Sequence, residues 1–209
     1  MNNLNKIPIH DSSLRHSTGQ AIYIDDMPEQ ENLLHGAPVL SKVACGKIKK
    51  INSDKLKDLP FFTKIITAKD IPGENEIGPI KNGEPILADD FFSYLGQPVA
   101  IVLAKTHQEA IYATSLVEIE VEFTTKPILN LDDAYEQKSF LEDPMILEKG
   151  NIKKDMSKSN YTLSGDFEIG GQDHFYLETH VAITFPGEND EYVVWSSTQH
   201  PTEAVSYTH

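Results

Sequence analysis

The chain has 209 residues, and its 18 Lys plus Arg residues against 32 Asp plus Glu residues give a net charge of −14 at pH 7. This charge argues against nucleic acid or an anionic membrane as the main partner, because binding to phosphate requires clustered Lys and Arg side chains. The single cysteine, Cys45, excludes an intramolecular disulfide, and no stretch approaches the roughly 20 apolar residues that span a bilayer. We therefore expect a soluble protein of a reducing compartment, the cytoplasm.

The first third of the chain predicts short strands that are separated by turns. A short helix is expected at residues 53–58, and residues 70–75 read as a turn because Ile71 precedes a proline, which opposes helix continuation. The segments of strand length and strand composition are residues 33–40, 46–51 and 61–67.

The clearest local pattern lies in residues 97–123. Residues 97–104 form a continuous apolar run, which is typical of a strand covered on both faces. Thr106 and Glu109 then form a capping box, so a helix should begin there, with a face of small residues that can approach a sheet closely. Residues 117–123 alternate apolar and acidic side chains, which predicts a half-exposed strand. Together these elements predict a β-α-β unit, right-handed if its strands are parallel.

The second half of the chain predicts a connection followed by a smaller unit. Residues 124–160 read as a connection with one helix near residues 131–136, so a domain boundary is expected there. Residues 161–169 read as a strand, and residues 181–185 and 192–197 read as a hairpin. A unit of fewer than about 60 residues buries too little apolar surface to be stable alone. The pattern therefore indicates an incomplete second domain.

Two adjacent glycines mark the first candidate site. Gly170 and Gly171 permit positive φ and remove side-chain bulk, so the backbone and the amide of Gln172 can come close to a ligand. The alternative reading, which composition alone favours, is an ordinary turn at the end of a strand.

A second candidate is a set of residues of metal-ligand type, for which hydrogen-bonded or exposed histidines are the favoured alternative. Its members are His174, Glu178, His180 and His200. Cys45 lacks a recognisable base beside it and is interpreted as a small packing residue. A basic segment is interpreted as a solvated face, with docking of a partner subunit as the second interpretation. Its lysines are Lys42, Lys47, Lys49, Lys50, Lys55, Lys57 and Lys64.

Four stretches resemble the xanthine and aldehyde oxidase family. They are residues 18–28 (TGQAIYIDDMP), 68–75 (AKDIPGEN), 96–104 (GQPVAIVLA) and 169–179 (IGGQDHFYLET), and residues 197–201 (STQHP) continue the likeness. The sequence of residues 174–178 (HFYLE) is more similar to that of xanthine dehydrogenases than to that of aldehyde oxidases. The chain is therefore identified as resembling the start of the molybdenum-binding subunit of a xanthine dehydrogenase.

The resemblance implies an α+β fold, in which an α/β-hammerhead domain is followed by the first strands of a truncated molybdopterin-binding domain. The implied divisions are an N-terminal tail at 1–13, the hammerhead domain at 14–125, a linker at 126–160 and the incomplete molybdopterin-binding domain at 161–209. In the family the glutamine of the Gly-Gly-Gln motif lies beside the molybdenum centre. Gln172 occupies that place, with Gly171 and Gly170 before it, as a neighbour of molybdenum and not as a firm ligand.

The implied activity is hydroxylation of hypoxanthine, xanthine or a related heterocycle with oxygen from water, as part of purine catabolism. Electrons leave through iron–sulfur clusters and FAD, which lie on other modules. The family's catalytic glutamate and its substrate-binding residues match positions beyond His209, so no catalytic residue is assigned in this chain. Glu178 is given a structural role.

The first hypothesis is therefore a portion of a xanthine dehydrogenase molybdenum subunit that is inactive alone and retains no cofactor by itself. Its implied partners are the rest of that subunit and the FAD and iron–sulfur subunits, with no nucleic acid and no membrane. The alternative is a non-enzymatic hammerhead module for docking or assembly. A weaker third reading is a small metal-binding protein that uses the His and Glu cluster.

Overall fold

A computed structural model describes residues 9–77, 84–123, 126–140, 142–189 and 191–200. The strands are β1 His35–Leu40, β2 Gly46–Asn52, β3 Phe62–Thr67, β4 Phe91–Phe92, β5 Pro98–Ala104, β6 Glu118–Glu122, β7 Ala182–Pro186 and β8 Tyr192–Ser196. The α-helices are α1 Ser13–Thr18, α2 His107–Ser115, α3 Leu131–Glu136 and α4 Ile152–Lys158, and single 3-10 turns cover Ile24–Asp26, Asp54–Leu56 and Ala68–Asp70. Within these described ranges, no helix has the length and apolar character needed to cross a membrane.

Two antiparallel three-stranded sheets form the first half of the molecule. In one sheet β5 lies between β1 and β3, and in the other β2 lies between β4 and β6. The predicted β-α-β unit is therefore wrong as a topology, because β5 and β6 lie in different sheets and α2 only connects them. The apolar run predicted a central strand correctly, but a strand buried on both faces has the same pattern whether its neighbours are parallel or antiparallel.

Helix α2 packs on the sheet that contains β5. The Thr106 hydroxyl accepts a hydrogen bond from the Glu109 N–H at 3.3 Å, which confirms the predicted start of the helix. Ala110 and Ala113 are fully buried against β5, where Ala104 and Val102 face them. The predicted face of small residues thus brings the helix close to the sheet.

The second sheet packs on the opposite face of β5. Val99 points away from Ala100 because successive side chains of a strand alternate, and it packs with Phe92 of β4. Ile119 and Val121 of β6 contact the same cluster. The core of this half is therefore continuous from α2 through β5 to the second sheet.

The acidic face of β6 pairs with lysines of neighbouring segments. Lys49 lies 2.7 Å from Glu122, and Lys55 lies 2.5 Å from Glu118. Hydrogen bonds from these ammonium groups hold the pKa of both glutamates below the ordinary value. These partners are exposed, so part of the basic segment lies on a solvated face, as its sequence predicted.

A buried polar clasp holds the turn that leads into β5. The Ser41 hydroxyl donates to the Tyr94 carbonyl at 2.8 Å and accepts the Gly96 N–H at 2.9 Å. Gly96 has a φ of +87°, a conformation that L side chains rarely adopt. The buried Gln97 side chain accepts the Ser93 N–H at 2.7 Å. The motif at residues 96–104 therefore carries a structural role.

Several elements differ from the sequence prediction. The segment 161–169 is not a strand, and the predicted helix at 53–58 is a single 3-10 turn whose Leu56 is fully buried. Helices α1 and α4 were not predicted, because neither has a buried residue that would create an apolar period.

Two predicted elements of the second half are confirmed. Helix α3 occupies the predicted position near residues 131–136, and strands β7 and β8 form the predicted hairpin. In this hairpin the Phe185 and Trp195 rings are nearly perpendicular, with a centroid distance of 4.8 Å.

The first testable prediction concerns Gly46, which is buried in β2. A Cβ atom at this position would lie 2.3 Å from Cγ1 of Val121, and Val121 is a stiff β-branched residue on the paired strand. Gly46→Ala should lower the free energy of unfolding by about 1–3 kcal/mol, measured by urea denaturation followed by circular dichroism. The control is Gly73→Ala, since no atom lies within 4 Å of the point where its Cβ would sit. Equal stability of the two variants would contradict the prediction.

The second prediction concerns Asp70 in the 3-10 turn after β3. Its carboxylate accepts the backbone N–H of Thr67 at 2.9 Å and pairs with Lys64 at 3.0 Å, and these contacts lower its pKa from 3.8 to about 2. The resulting stabilisation is present above the unfolded pKa and is lost as the pH falls from about 4 to about 2. Asp70→Asn should therefore flatten the acid side of the stability profile.

The measurement is the denaturation midpoint as a function of pH between 2 and 6. The control is Asp89→Asn, which removes an exposed carboxylate that makes no hydrogen bond or ion pair in the described part of the chain. If the denaturation midpoint depends on pH in the same way in wild type and Asp70→Asn, Asp70 does not stabilise the fold as predicted.

Candidate functional site

The segment that carries the predicted site is open to solvent. Gly170, Gly171 and Gln172 are exposed and lie in neither a helix nor a strand. No heavy atom lies within 4 Å of the position where a Cβ would sit on either glycine, and neither glycine has a positive φ. Their contribution here is therefore the absence of bulk and not an unusual backbone conformation.

The amide of Gln172 is free to meet a ligand. Among the residues that the structure describes, it makes no hydrogen bond. A primary amide offers one acceptor oxygen and two donor hydrogens without a charge. This donor set suits contact with an oxygen or amide of a bound group, whereas direct coordination of a transition metal favours imidazole, thiolate or carboxylate.

A local turn sets the direction of the chain directly after Gln172. The Asp173 carboxylate accepts the N–H of Phe175 at 3.1 Å, and Phe175 has a φ of +48° in the left-handed region. An aspartate that binds the backbone two residues further on is a common way to make such a turn. The bend therefore depends on the Asp173 side chain, next to Gln172. Only a weak sequence signal, an aspartate followed by a histidine, indicates this turn.

The predicted metal-type residues do not form a metal site. Within the described ranges, no group of three or more His, Cys, Asp or Glu side chains is placed to hold a metal ion. His180 instead forms a hydrogen-bond contact with the Tyr176 hydroxyl, and Glu178 accepts the Ile24 N–H at 3.2 Å. Glu178 and His180 thus make separate contacts, and the predicted set of His174, Glu178, His180 and His200 is not a metal site among the described residues.

Ser197 holds the end of the segment that follows Gln172. The Ser197 hydroxyl accepts the Val181 N–H at 3.0 Å and donates to the Thr179 carbonyl at 2.9 Å. This joins the end of the 169–179 motif to the 197–201 motif beyond β8. Neither contact was predicted from the sequence, because the partners are separated by 16 and 18 residues.

The motif at residues 18–28 lies beside Glu178 and Trp195. An open groove of about 480 Å³ lies between residues of the 18–28 motif and Trp195 of β8, and a smaller one of about 270 Å³ lies beside Glu178. Arg15 lines both grooves. Three stretches that are distant in the sequence therefore meet around residues 15–30.

Cys45 behaves as its sequence context predicted. It is half-buried and unpaired, immediately before the start of β2. Partial burial of an unpaired thiol fits the interpretation of Cys45 as a small packing residue.

Two family profiles match the chain. Residues 18–126, more than half of the chain, match a profile described as "Aldehyde oxidase and xanthine dehydrogenase, a/b hammerhead domain". Residues 135–208 match a profile described as "Molybdopterin cofactor-binding domain".

Curated relatives match over almost the full chain. Xanthine dehydrogenase of Calliphora vicina is 38% identical over 197 residues, which is 93% of this chain and 15% of that protein. Xanthine dehydrogenase/oxidase of Gallus gallus is 36% identical over 201 residues, or 96% of this chain and 15% of that protein. Aldehyde oxidase 2 of Macaca fascicularis is 37% identical over 92% of this chain and 14% of that protein. The chain thus spans only a small part of these relatives' length.

Solved structures share the fold. Aldehyde oxidoreductase of Desulfovibrio gigas has a TM-score of 0.75 at 24% identity, covering 90% of this chain and 23% of that chain. Quinoline 2-oxidoreductase of Pseudomonas putida 86 has a TM-score of 0.76 at 20% identity, covering 92% of this chain and 26% of that chain. Together with the family profiles, these matches confirm the predicted fold class of a hammerhead domain followed by the start of a molybdopterin-binding domain.

Proposed function

Because the chain belongs to the aldehyde oxidase and xanthine dehydrogenase family, we propose that it is part of the molybdenum-binding subunit of a xanthine dehydrogenase that oxidises hypoxanthine and xanthine. The observation that carries the proposal is the match to xanthine dehydrogenases over more than nine-tenths of the chain. The placement of an unpaired Gln172 amide in an open glycine segment supports it. The single half-buried thiol of Cys45 is consistent with a cytoplasmic protein.

The proposed division of the chain follows its packing. Both three-stranded sheets and α2 lie between residues 35 and 122, which supports a hammerhead domain at 14–125 after a tail at 1–13. Residues 126–160 contain two helices without a buried residue, as expected of a linker. Residues 161–209 would then begin the molybdopterin-binding domain.

The proposed role of Gln172 is to contact the molybdenum cofactor. When bound, this cofactor supplies the redox centre at which a substrate is hydroxylated with oxygen from water. Gln172 would orient an oxygen of the bound group through a hydrogen bond without adding charge. Gly170 and Gly171 leave space for the close approach of that group, since nothing occupies their Cβ positions.

Exposed apolar side chains support assembly with further protein. Several large apolar side chains of residues 161–177 are at least 84% exposed, whereas such side chains are normally buried in a core or an interface. They are Tyr161, Leu163, Phe167, Phe175 and Leu177. The proposed partners that cover them are the rest of the molybdenum subunit, with the FAD and iron–sulfur modules as further members of the enzyme. An assembly role without catalysis is the second candidate function that these exposed side chains favour.

The third prediction is that the purified 209-residue chain is inactive and retains no molybdenum. It covers only about 15% of its xanthine dehydrogenase relatives, so most of the cofactor's surroundings would come from other parts of the enzyme. Metal analysis and reduction of NAD with xanthine, hypoxanthine or an aromatic aldehyde provide the measurement. Stoichiometric molybdenum together with turnover would overturn the prediction, and turnover with the aldehyde alone would reassign the substrate.

The fourth prediction concerns Gln172 in the holoenzyme that contains this sequence. Gln172→Ala should lower turnover about 10-fold to 100-fold, because a residue that orients a group at a metal centre is lost. The matched control is Gln137→Ala, which changes an exposed glutamine after α3 whose side chain makes no hydrogen bond among the described residues. Equal turnover of both variants would show that Gln172 does not serve the molybdenum centre.

A further inference from the structure

Glu178 is half-buried in an otherwise exposed part of the chain. The structure describes every residue from 142 to 180, and all of them are exposed except Glu178. Its apolar neighbour Leu177 is 84% exposed, and Phe175 is 95% exposed. Apolar burial therefore does not hold this segment in place, and its least exposed residue is the half-buried Glu178, whose carboxylate has a polar partner.

The partner is a backbone donor on the other side of the fold. The Glu178 carboxylate accepts the Ile24 N–H at 3.2 Å, across 154 residues of sequence. Ile24 opens a 3-10 turn, so its N–H has no acceptor within that turn. A carboxylate is a strong acceptor for such an N–H, since the bond is charge-assisted.

The N-terminal turn is itself well fixed. The Asp26 carboxylate accepts the Tyr23 N–H at 3.1 Å, and Ile24 is only 8% exposed. Arg15 and His16 line the small groove beside Glu178, so the basic side chains of α1 lie on the same side of the turn. The Glu178 carboxylate thus reaches a backbone donor that its own hydrogen bond and low exposure hold in place.

We propose that Glu178 is a positioning residue that anchors the Gly170–Gln172 segment to the N-terminal turn through the Ile24 N–H. This inference rests on the proposed role of Gln172. Five residues lie between Gln172 and Glu178, so the connection of six residue steps cannot exceed about 22 Å even when fully extended. The turn at Asp173 lies within this connection and shortens it further. The anchor therefore restricts where the Gln172 amide can lie.

The fifth prediction tests the anchor by hydrogen exchange in the 209-residue chain. Glu178→Ala should speed exchange of the Ile24 amide about 10-fold, because one hydrogen bond to a charged acceptor is lost. Glu178→Gln retains an oxygen acceptor and should restore most of the protection. Glu168→Ala is the matched control, since it removes an exposed carboxylate of the same segment that makes no contact among the described residues. Unchanged exchange in the β5 amides shows that the effect is local.

Two results would overturn the anchor. The first is equal Ile24 exchange in Glu178→Ala and Glu168→Ala, and the second is exchange in Glu178→Gln as fast as in Glu178→Ala. These measurements require no cofactor, so they are independent of the proposed function.

A second measurement connects the anchor to Gln172 in the holoenzyme. The electron paramagnetic resonance spectrum of the molybdenum centre should change in Glu178→Ala in the same direction as in Gln172→Ala, and Glu178→Gln should restore it. A normal spectrum in Glu178→Ala with an altered one in Gln172→Ala would refute the positioning role. A third outcome is that Gln172→Ala and Glu178→Ala both have normal spectra and turnover while Ile24 exchange is still faster in Glu178→Ala. This outcome would refute the role of Gln172 and show that Glu178 is a structural anchor only.

Discussion

The double-sided burial of β5 is the constraint on which the described fold depends. Ala100, Val102 and Ala104 face α2, while Val99 packs against the second sheet, and all four are fully buried. Backbone groups within β5 are paired with β1 and β3, and the segments at its two ends need other hydrogen-bond partners. The clasp of Ser41 and Gln97 provides these partners at the entrance, and the Thr106 cap starts the helix that follows its exit.

The second half of the chain follows a different physical regime. None of the described residues from 126 to 200 is buried, and polar contacts connect this part to distant segments. Glu178 binds the N-terminal turn, and Ser197 joins the end of the Gly-Gly-Gln motif to the β7–β8 hairpin. A two-stranded hairpin is only marginally stable by itself in water. The chain covers about 15% of its xanthine dehydrogenase relatives, which is consistent with the proposal that other protein completes the surroundings of Gln172.

Much of the first half was predictable because local patterns there agree with the tertiary fold. The apolar run of β5, the cap at Thr106 and the alternation of β6 each identify an element correctly. Strand partners were not predictable, since β5 and β6 follow one another around a helix and still enter different sheets. The candidate site was found through the resemblance and not through a pattern, because a pair of glycines before a glutamine is common in ordinary turns.

The order of the amino acids was enough to establish the type and position of most elements, the family, and the residues proposed to meet the cofactor. Periodicity and capping are local properties, so they can be read from neighbouring residues. Long-range packing was needed to show that β5 has antiparallel neighbours, that residues 161–169 form no strand, and that Glu178 is held by Ile24. These features depend on contacts between residues far apart in the chain. Glu178 and Ile24 are 154 positions apart in the sequence, so their hydrogen bond cannot be predicted from the residues next to either of them.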